Sequence, residues 1–151
     1  MAKLTSETRA QQLVVKWWRE NFPHFHFSLF TTNNEATYAI DPANTMGAMM
    51  KAQKDKKKGK VSGVADLICT VPHIKTRAIW FRELKIEAEY QDHQQLFIEE
   101  QAGHNHDAAM IRGKDYNDLA EKVIADLKKH MQGYPDFYEL ARTQKIDNIE
   151  L

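Results

Sequence analysis

Two acidic residues and a lysine lie where the sequence predicts a β-hairpin. Asp66 belongs to the apolar run VADLICTV, Glu83 and Lys85 belong to AIWFRELKI, and PHIKTR joins the two runs. If Val71 pairs with Ala78 across that loop, the antiparallel register continues back to Asp66 opposite Glu83. Directly opposed residues share a face of the sheet, with Cβ atoms about 4.5–5.5 Å apart. We therefore expect the two carboxylates to face each other.

Two carboxylates at that distance repel each other unless a cation lies between them. Mg²⁺ fits because it takes hard oxygen ligands, commonly one or two carboxylates, and keeps several waters. Lys85 lies two residues beyond Glu83 on the same face, where its ammonium form would hold such a water or neutralise developing phosphate charge, and its neutral amine form would deprotonate the water. The pattern predicts a metal-activated water that attacks phosphorus, which is phosphodiester hydrolysis.

A plainer interpretation of these residues needs no chemistry. Asp66 and Glu83 would be solvated acids on the open face of a sheet, or would pair with Lys85 and Arg82 in surface salt bridges worth about 0–1 kcal/mol.

The elements that would position this hairpin follow from the periodicity of apolar residues. Residues 6–20 have helical spacing, HFHFSLF alternates like a strand, and DHQQLFIEEQAG reads as a helix that ends at Gly103. AAMIR predicts a strand and YNDLAEKVIADLKKHM a helix. The expected fold is α/β, with a mixed central sheet of about four strands flanked by helices.

Composition restricts the class of protein further. A chain of 151 residues, 42% of them hydrophobic, fits one domain, which we place at residues 1–133, with a tail at 134–151 that packs on the domain or at a dimer interface. The single Cys69 excludes a disulfide framework and a cysteine-held metal cluster. No apolar run is long enough for a membrane span, and the N-terminus lacks a signal-peptide core, so we expect a cytoplasmic protein.

Charge is balanced overall, with 21 basic and 21 acidic residues, but one segment is strongly basic. MGAMMKAQKDKKKGK predicts a short helix that runs into a loop just before the first strand of the hairpin. There its lysines would lie beside a bound phosphate backbone, although a merely solvated loop is the alternative. The predicted DNA-binding residues are Lys51, Lys54, Lys56, Lys57, Lys58 and Lys60.

The hairpin motif resembles a known family. Asp66 followed by Glu83-Leu84-Lys85 on the neighbouring strand resembles the PD-(D/E)XK nuclease core, which has a restriction-endonuclease-like fold. The wider pattern GKVSGVADL…FRELK…DHQQLFIEEQAG is similar to the VRR-NUC (virus-type replication-repair nuclease) branch, over about residues 7–112. One departure is Ala65, which stands where that family usually has proline.

The resemblance implies roles for individual residues. Asp66 and Glu83 would bind Mg²⁺ or Mn²⁺ with help from the Leu84 carbonyl group, and Lys85 would position the attacking water. The helix glutamine of the family corresponds to Gln94, with Gln95 as the alternative. Its first-helix glutamate corresponds to Glu7, although an acid in the first turn of a helix is also favoured by the helix dipole alone.

The function implied is that of a metal-dependent DNA endonuclease. Stand-alone members of the family resemble Holliday-junction resolvases and tend to be phage-encoded, which implies branched DNA as substrate and the cytoplasm of a bacterial host as location. Two alternatives stay open: a catalytically idle DNA-binding module on the same scaffold, and an end-dependent recombination exonuclease.

Paired cuts in a four-way junction require two copies of the site, so we also expect a two-fold homodimer. The predicted interface residues are Trp17 or Trp18 and the aromatic tail segment YPDFYELA.

Overall fold

The computed structural model describes residues 6–32, 64–86 and 92–146. Within these ranges the α-helices are α1 (Ser6–Asn21), α2 (Asp92–Gly103), α3 (Tyr116–His130) and α4 (Phe137–Ile146). A 3-10 helix covers Pro23–Ser28, and the strands are β1 (Leu29–Thr31), β2 (Leu67–Cys69), β3 (Trp80–Ile86) and β4 (Asp107–Gly113).

The four described strands form one mixed sheet in the order β1-β2-β3-β4. The pairs β1–β2 and β2–β3 are antiparallel, whereas β3 and β4 run parallel and are joined by the crossover through α2. The predicted α/β class with a mixed sheet of about four strands and flanking helices is confirmed.

The hairpin has the register that its loop length predicts. Ile68 pairs with Phe81, and Leu67 pairs with Arg82. One step further along the same register, Asp66 stands opposite Glu83. The expected pairing is therefore confirmed at the positions that determine the geometry of the two acids.

Alternation along β3 divides the sheet into two faces. The side chains of Trp80, Arg82 and Leu84 are buried on one face, which we call the core face. On that face they pack with Val14 and Trp18 of α1 and with an apolar stripe of α3. The stripe consists of Leu119, Val123 and Leu127. The opposite face of β3 carries Phe81, Glu83 and Lys85, and we call it the acid face.

A glycine permits the close approach of α3 to the sheet. Gly113, the last residue of β4, lies so near Leu119 that a Cβ atom added there would come within 2.6 Å of the Leu119 Cβ and 2.7 Å of its backbone nitrogen. Real side chains do not tolerate such contacts, and the obstruction is mostly backbone. Only glycine fits at this end of β4 without moving the helix.

The expected strand in HFHFSLF is wrong over most of its length. Pro23 begins a 3-10 helix that continues to Ser28, and only Leu29–Thr31 joins the sheet. Phe25 packs against the core, but Phe27 is 91% exposed, so the alternating aromatics do not share a buried face. Proline favours the first turn of a helix, and this local preference prevails from Pro23 to Ser28. Among the described residues, the ladder with β2 begins at Leu29.

The predicted dimer interface is also corrected at one residue. Trp18 is fully buried, and its indole N–H donates to the Phe25 carbonyl oxygen at 3.0 Å, so it belongs to the core. In the tail, the hydroxyl of Tyr134 donates to the carbonyl oxygen of Pro72 at 2.6 Å. Phe137 and Tyr138 on α4 are exposed.

The structure bears on the expectation about membrane spans but not on the one about the basic segment. The lysine-rich segment between residues 51 and 60 lies outside the described residues. In the part of the chain that the structure describes, no helix combines the length and the apolar character needed to cross a lipid bilayer.

Arg82 occupies the core face because its charge is fully compensated there. Its guanidinium group forms ion pairs with Asp126 of α3 and with Asp107, the latter at 2.9 Å, and lies over the Trp80 ring at 4.9 Å. It also donates to the carbonyl oxygens of Phe81 and Asp107. The indole N–H of Trp80 donates to the same Asp126 carboxylate at 3.0 Å. Asp126 thus ties the middle of β3 to α3.

We expect Asp126→Ala to lower the free energy of unfolding by about 2–3 kcal/mol, because it leaves the buried guanidinium of Arg82 short of its closest acid. Chemical denaturation measures the change. Glu121→Ala, which removes an exposed acid from the same helix, is the matched control and should change stability by no more than about 0.5 kcal/mol. Equal effects of the two substitutions would contradict the role given to Asp126.

Candidate active site

Two carboxyl groups lie together on the acid face where β2 begins. Asp66 immediately precedes β2 and is 7% exposed, and Glu83 lies in the middle of β3 and is 3% exposed. Both are held by the hairpin register rather than by a flexible loop. The structure therefore brings together the two acids that the sequence predicts as a pair.

The backbone of β3 fixes the orientation of Asp66. The Leu84 N–H donates to Asp66 Oδ2 at 2.8 Å. On the other side, the Asp66 carbonyl oxygen accepts from the Thr32 N–H at 3.0 Å, and the Thr32 hydroxyl donates to the Ala65 carbonyl oxygen at 2.6 Å. These bonds hold the backbone at Ala65, where proline is usual in the family that the sequence resembles.

Besides Asp66, the side chains of Gln94 and Lys85 contact Glu83 on the acid face. Gln94 on α2 donates its amide N–H to Glu83 Oε1 at 2.7 Å, and the Lys85 ammonium group lies 3.7 Å from the same oxygen. Gln95 is exposed and instead donates to Glu99 on the surface of α2, at 2.9 Å. Of the two candidate glutamines, Gln94 is the one that reaches the acid pair.

Glu7 lies near this site but is not part of the acid pair. Its Oε1 accepts from the backbone N–H of Ile86 at 3.4 Å, beyond Lys85 at the carboxyl end of β3. Across residues 6–32, 64–86 and 92–146, no three His, Cys, Asp or Glu side chains are grouped as a metal-binding set. The structure thus gives Glu7 a contact with the strand backbone, and its role toward a metal stays a prediction.

The electrostatics of the acid pair are unfavourable without a cation. Burial, and after it the negative charge of Asp66, raise the pKa of Glu83 to about 8, whereas the charge of Lys85 lowers it. A hydrogen bond between the two carboxyl groups acts in the same direction as burial. The donors are two buried carboxylates beside a strand backbone, and such hard oxygen donors fit a divalent cation of the Mg²⁺ type.

A cleft of about 510 Å³ lies at the opposite end of the strands, by the amino ends of β3 and β4, and its lining includes His73 and His106. His73 Nδ1 accepts from two backbone N–H groups of the following turn, and His106 Nδ1 accepts from the Ile79 N–H. In the neutral rings the proton is therefore on Nε2, which cannot then ligate a metal. The Asp107 carboxylate also lines the cleft, but it forms an ion pair with Arg82 at 2.9 Å, and the described lining offers no second carboxylate to make a pair like Asp66 and Glu83.

One residue of the acid face was missed by sequence reasoning. Arg112 on β4 pairs with Lys85 in the parallel register and is exposed. The strand AAMIR was predicted, but a parallel register across a helical crossover is not set by a short loop. The alternation of faces along the strand AAMIR, together with the order of helices and strands, could have indicated that Arg112 lies beside Lys85.

Similarity to known proteins is found in the structure and not in the sequence. No family model matches the sequence, and no curated protein matches it. Among solved structures, a chain described as "VRR_NUC domain protein" superposes with a TM-score of 0.63, over 87% of this chain and 92% of that chain, at 17% sequence identity. The chain has the VRR-NUC fold.

The VRR-NUC fold accounts for the arrangement of the described elements. The hairpin, the crossover helix α2 and the parallel strand β4 lie within the segment in which the sequence resembles that family. An identity of 17% over nearly the whole of both chains means that the fold is shared although most residues differ.

In the metal-free protein, we expect the free energy of unfolding to fall as the pH rises from 4.5 to about 8, the interval between the ordinary pKa of a glutamate and the raised pKa of Glu83. Between these values the folded protein keeps a proton on Glu83 that the unfolded chain has lost. The contribution to the slope approaches about 1.4 kcal/mol per pH unit. Denaturation in EDTA at several pH values measures it.

Glu83→Gln resembles the protonated acid in size and neutrality and should remove this contribution. Glu100→Gln, at an exposed position of α2, is the control and should keep the wild-type dependence. If Glu83→Gln follows the same pH profile as the wild type, the raised pKa of Glu83 is refuted.

Proposed function

We propose that this protein is a metal-dependent DNA endonuclease whose active centre is the carboxyl pair of Asp66 and Glu83. The observation that carries the proposal is the close group formed by these acids with Lys85 and Gln94 on one face of a VRR-NUC fold. Nuclease activity is further supported by the name of the similar structure, a VRR_NUC domain protein.

The donor set favours a divalent cation. Asp66 and Glu83 would hold Mg²⁺ or Mn²⁺ together with the Leu84 carbonyl oxygen, and Glu7 would assist from the carboxyl end of β3. The ion, when bound, supplies an acidified water and neutralises charge on the phosphate oxygens. The burial and mutual repulsion that raise the pKa of Glu83 are the penalty that a divalent cation offsets.

Lys85 and Gln94 act on the reactants rather than on the metal. Lys85 is 14% exposed, and its ammonium group, 3.7 Å from Glu83, is positioned to hold the attacking water or to neutralise charge on the phosphate, whereas only its neutral amine form would take a proton from the water. Gln94 holds the Glu83 carboxylate through its amide and orients the water or a phosphate oxygen beside it. Both contributions depend on orientation, which the strand and helix backbones supply.

The finer features of the proposal concern the substrate and the assembly. We assign branched DNA such as a Holliday junction as the substrate and a two-fold homodimer as the working form. Exposed aromatics on α4, Phe137 and Tyr138, are consistent with an interface there. The DNA backbone would also contact the basic segment formed by Lys51, Lys54, Lys56, Lys57, Lys58 and Lys60.

We expect Asp66→Asn to abolish cleavage of every DNA substrate in Mg²⁺ or Mn²⁺, because it removes a charge from the metal site without changing its volume. Lys85→Ala should also silence cleavage but should still bind Mn²⁺, because the lysine is not a metal ligand. Calorimetric titration with Mn²⁺ separates the two roles. Binding should raise the unfolding temperature of the wild type and of Lys85→Ala, but not that of Asp66→Asn.

Retained cleavage in both Asp66→Asn and Glu83→Gln would refute the active centre. Wild-type protein that binds DNA but cuts none with either metal would instead identify a DNA-binding module without catalytic activity.

A second prediction tests the substrate and the assembly together. The wild-type dimer should make paired nicks in a four-way junction, whereas a mixed dimer with one Asp66→Asn subunit should make a single nick. Cleavage of a cruciform plasmid measures this, because paired cuts give linear product and single cuts give open circles. A monomer that cuts only flaps or single strands would contradict the junction assignment and leave the nuclease assignment intact.

A further inference from the structure

The parallel pairing of β3 with β4 places two cations side by side. Lys85 and Arg112 are register partners, and the same register pairs Glu83 with Met110. Because register partners on neighbouring strands project to the same face, Arg112 belongs to the acid face with Glu83 and Lys85. Neighbouring strands are about 4.8 Å apart, so the guanidinium of Arg112 is within side-chain reach of the region that the Lys85 ammonium group serves.

The two cations of this register pair lie beside the acid pair, with the Lys85 ammonium group 3.7 Å from Glu83 Oε1. Further positive charge lies close by. Lys122 of α3 donates its ammonium N–H to the carbonyl oxygen of Arg112 at 3.1 Å and also forms an ion pair with Asp118 at 3.1 Å. Lys114, two residues after Arg112, is exposed. Because Asp118 offsets the charge of Lys122, Arg112 is the residue at this end of β4 whose register places positive charge on the acid face.

Arg112 lies at the margin of the described sheet. In the described sheet β4 is the outermost strand, and Arg112 is exposed on it. Glu83, by contrast, is 3% exposed and Lys85 is 14% exposed. A long anionic polymer that reaches Lys85 from the β4 side therefore passes over Arg112 first.

We propose that Arg112 binds a backbone phosphate of the DNA strand being cut, next to the phosphate on which Lys85 acts. This inference rests on the proposed nuclease function and adds a substrate-binding residue to it. Arginine suits the task because its planar guanidinium donates two parallel N–H bonds to a phosphate, a geometry that lysine cannot reproduce. The two cations then have different roles. Lys85 acts at the reacting phosphate, whereas Arg112 binds the adjacent phosphate and so fixes the position of the DNA strand.

The test compares Arg112→Ala, Arg112→Lys and a control, Arg19→Ala. Arg19 is also exposed but lies in the last turn of α1, twelve residues after Glu7 along the same helix, about 18 Å away. Both alanine variants remove one arginine and one positive charge. DNA binding is measured in EDTA as a function of salt, and cleavage is measured separately in Mn²⁺.

Arg112→Ala should flatten the slope of log K against log salt by about 0.7–0.9, the loss of one phosphate contact, and Arg19→Ala should leave the slope unchanged. Arg112→Ala should also reduce kcat/KM by roughly tenfold to a hundredfold, as expected for a charge-assisted hydrogen-bonded pair. Arg112→Lys should keep the slope, because the charge remains, but recover only part of kcat/KM. Affinity for Mn²⁺ and the unfolding temperature should be unchanged in Arg112→Lys, which separates phosphate binding from a structural role.

Outcomes for Arg112 and for the nuclease proposal are distinguishable. Suppose that the wild type cuts DNA but that Arg112→Ala has the wild-type slope of log K against log salt, or that Arg19→Ala flattens the slope equally. The Arg112 inference is then refuted, whereas the nuclease proposal stands. If the wild type cuts no DNA but only Arg112→Ala loses slope, the phosphate contact stands and the nuclease falls. Full kcat/KM in Arg112→Lys would overturn the requirement for a two-pronged contact.

Discussion

The register between β2 and β3 is the constraint on which the remaining structure depends. Alternation sends Trp80, Arg82 and Leu84 to the core face and Glu83 and Lys85 to the acid face, and a slip of one residue would exchange the two sets. Such a slip would bury Lys85 among apolar side chains and remove Arg82 from Asp126. The ion pairs that keep Arg82 in the core therefore also keep the two acids opposite each other.

This constraint explains why charged residues crowd a strand that begins with Trp80 and Phe81. Arg82 is stabilised by acids on α3 and β4, whereas Glu83 is stabilised much less well by Gln94 and Lys85. On this strand the charge of Arg82 is well compensated, whereas a negative charge on Glu83 is not. Acids whose pKa is strongly perturbed by burial and a like charge are common at functional sites.

The sequence was sufficient where the relevant interactions are local. A six-residue loop and apolar alternation determined the hairpin register, and α2 was predicted with its observed limits because the helix stops at Gly103. Local evidence was misleading at Phe25 and Phe27, whose spacing resembles a strand although Pro23 starts a 3-10 helix. It was silent about the partners of Arg82 and about the position of Arg112 beside Lys85. Both depend on how α3 and β4 return to the sheet, and only tertiary packing determines that.

The absence of a side chain at Gly113 links the outer helix mechanically to the acids. Gly113 lets Leu119 rest directly on the end of β4, and the same helix carries Asp126 down to Arg82 on β3. A methyl group at Gly113 would push the start of α3 away from the sheet. Because Asp126 lies on the same helix, its contact with Arg82 would be disturbed as well. Gly113 is also the register partner of Ile86, whose N–H donates to Glu7. A displacement of Gly113 would therefore act directly on the carboxyl end of β3. A side chain at Gly113 would thus disturb the packing that supports β3, the strand that carries Glu83 and whose backbone holds Asp66.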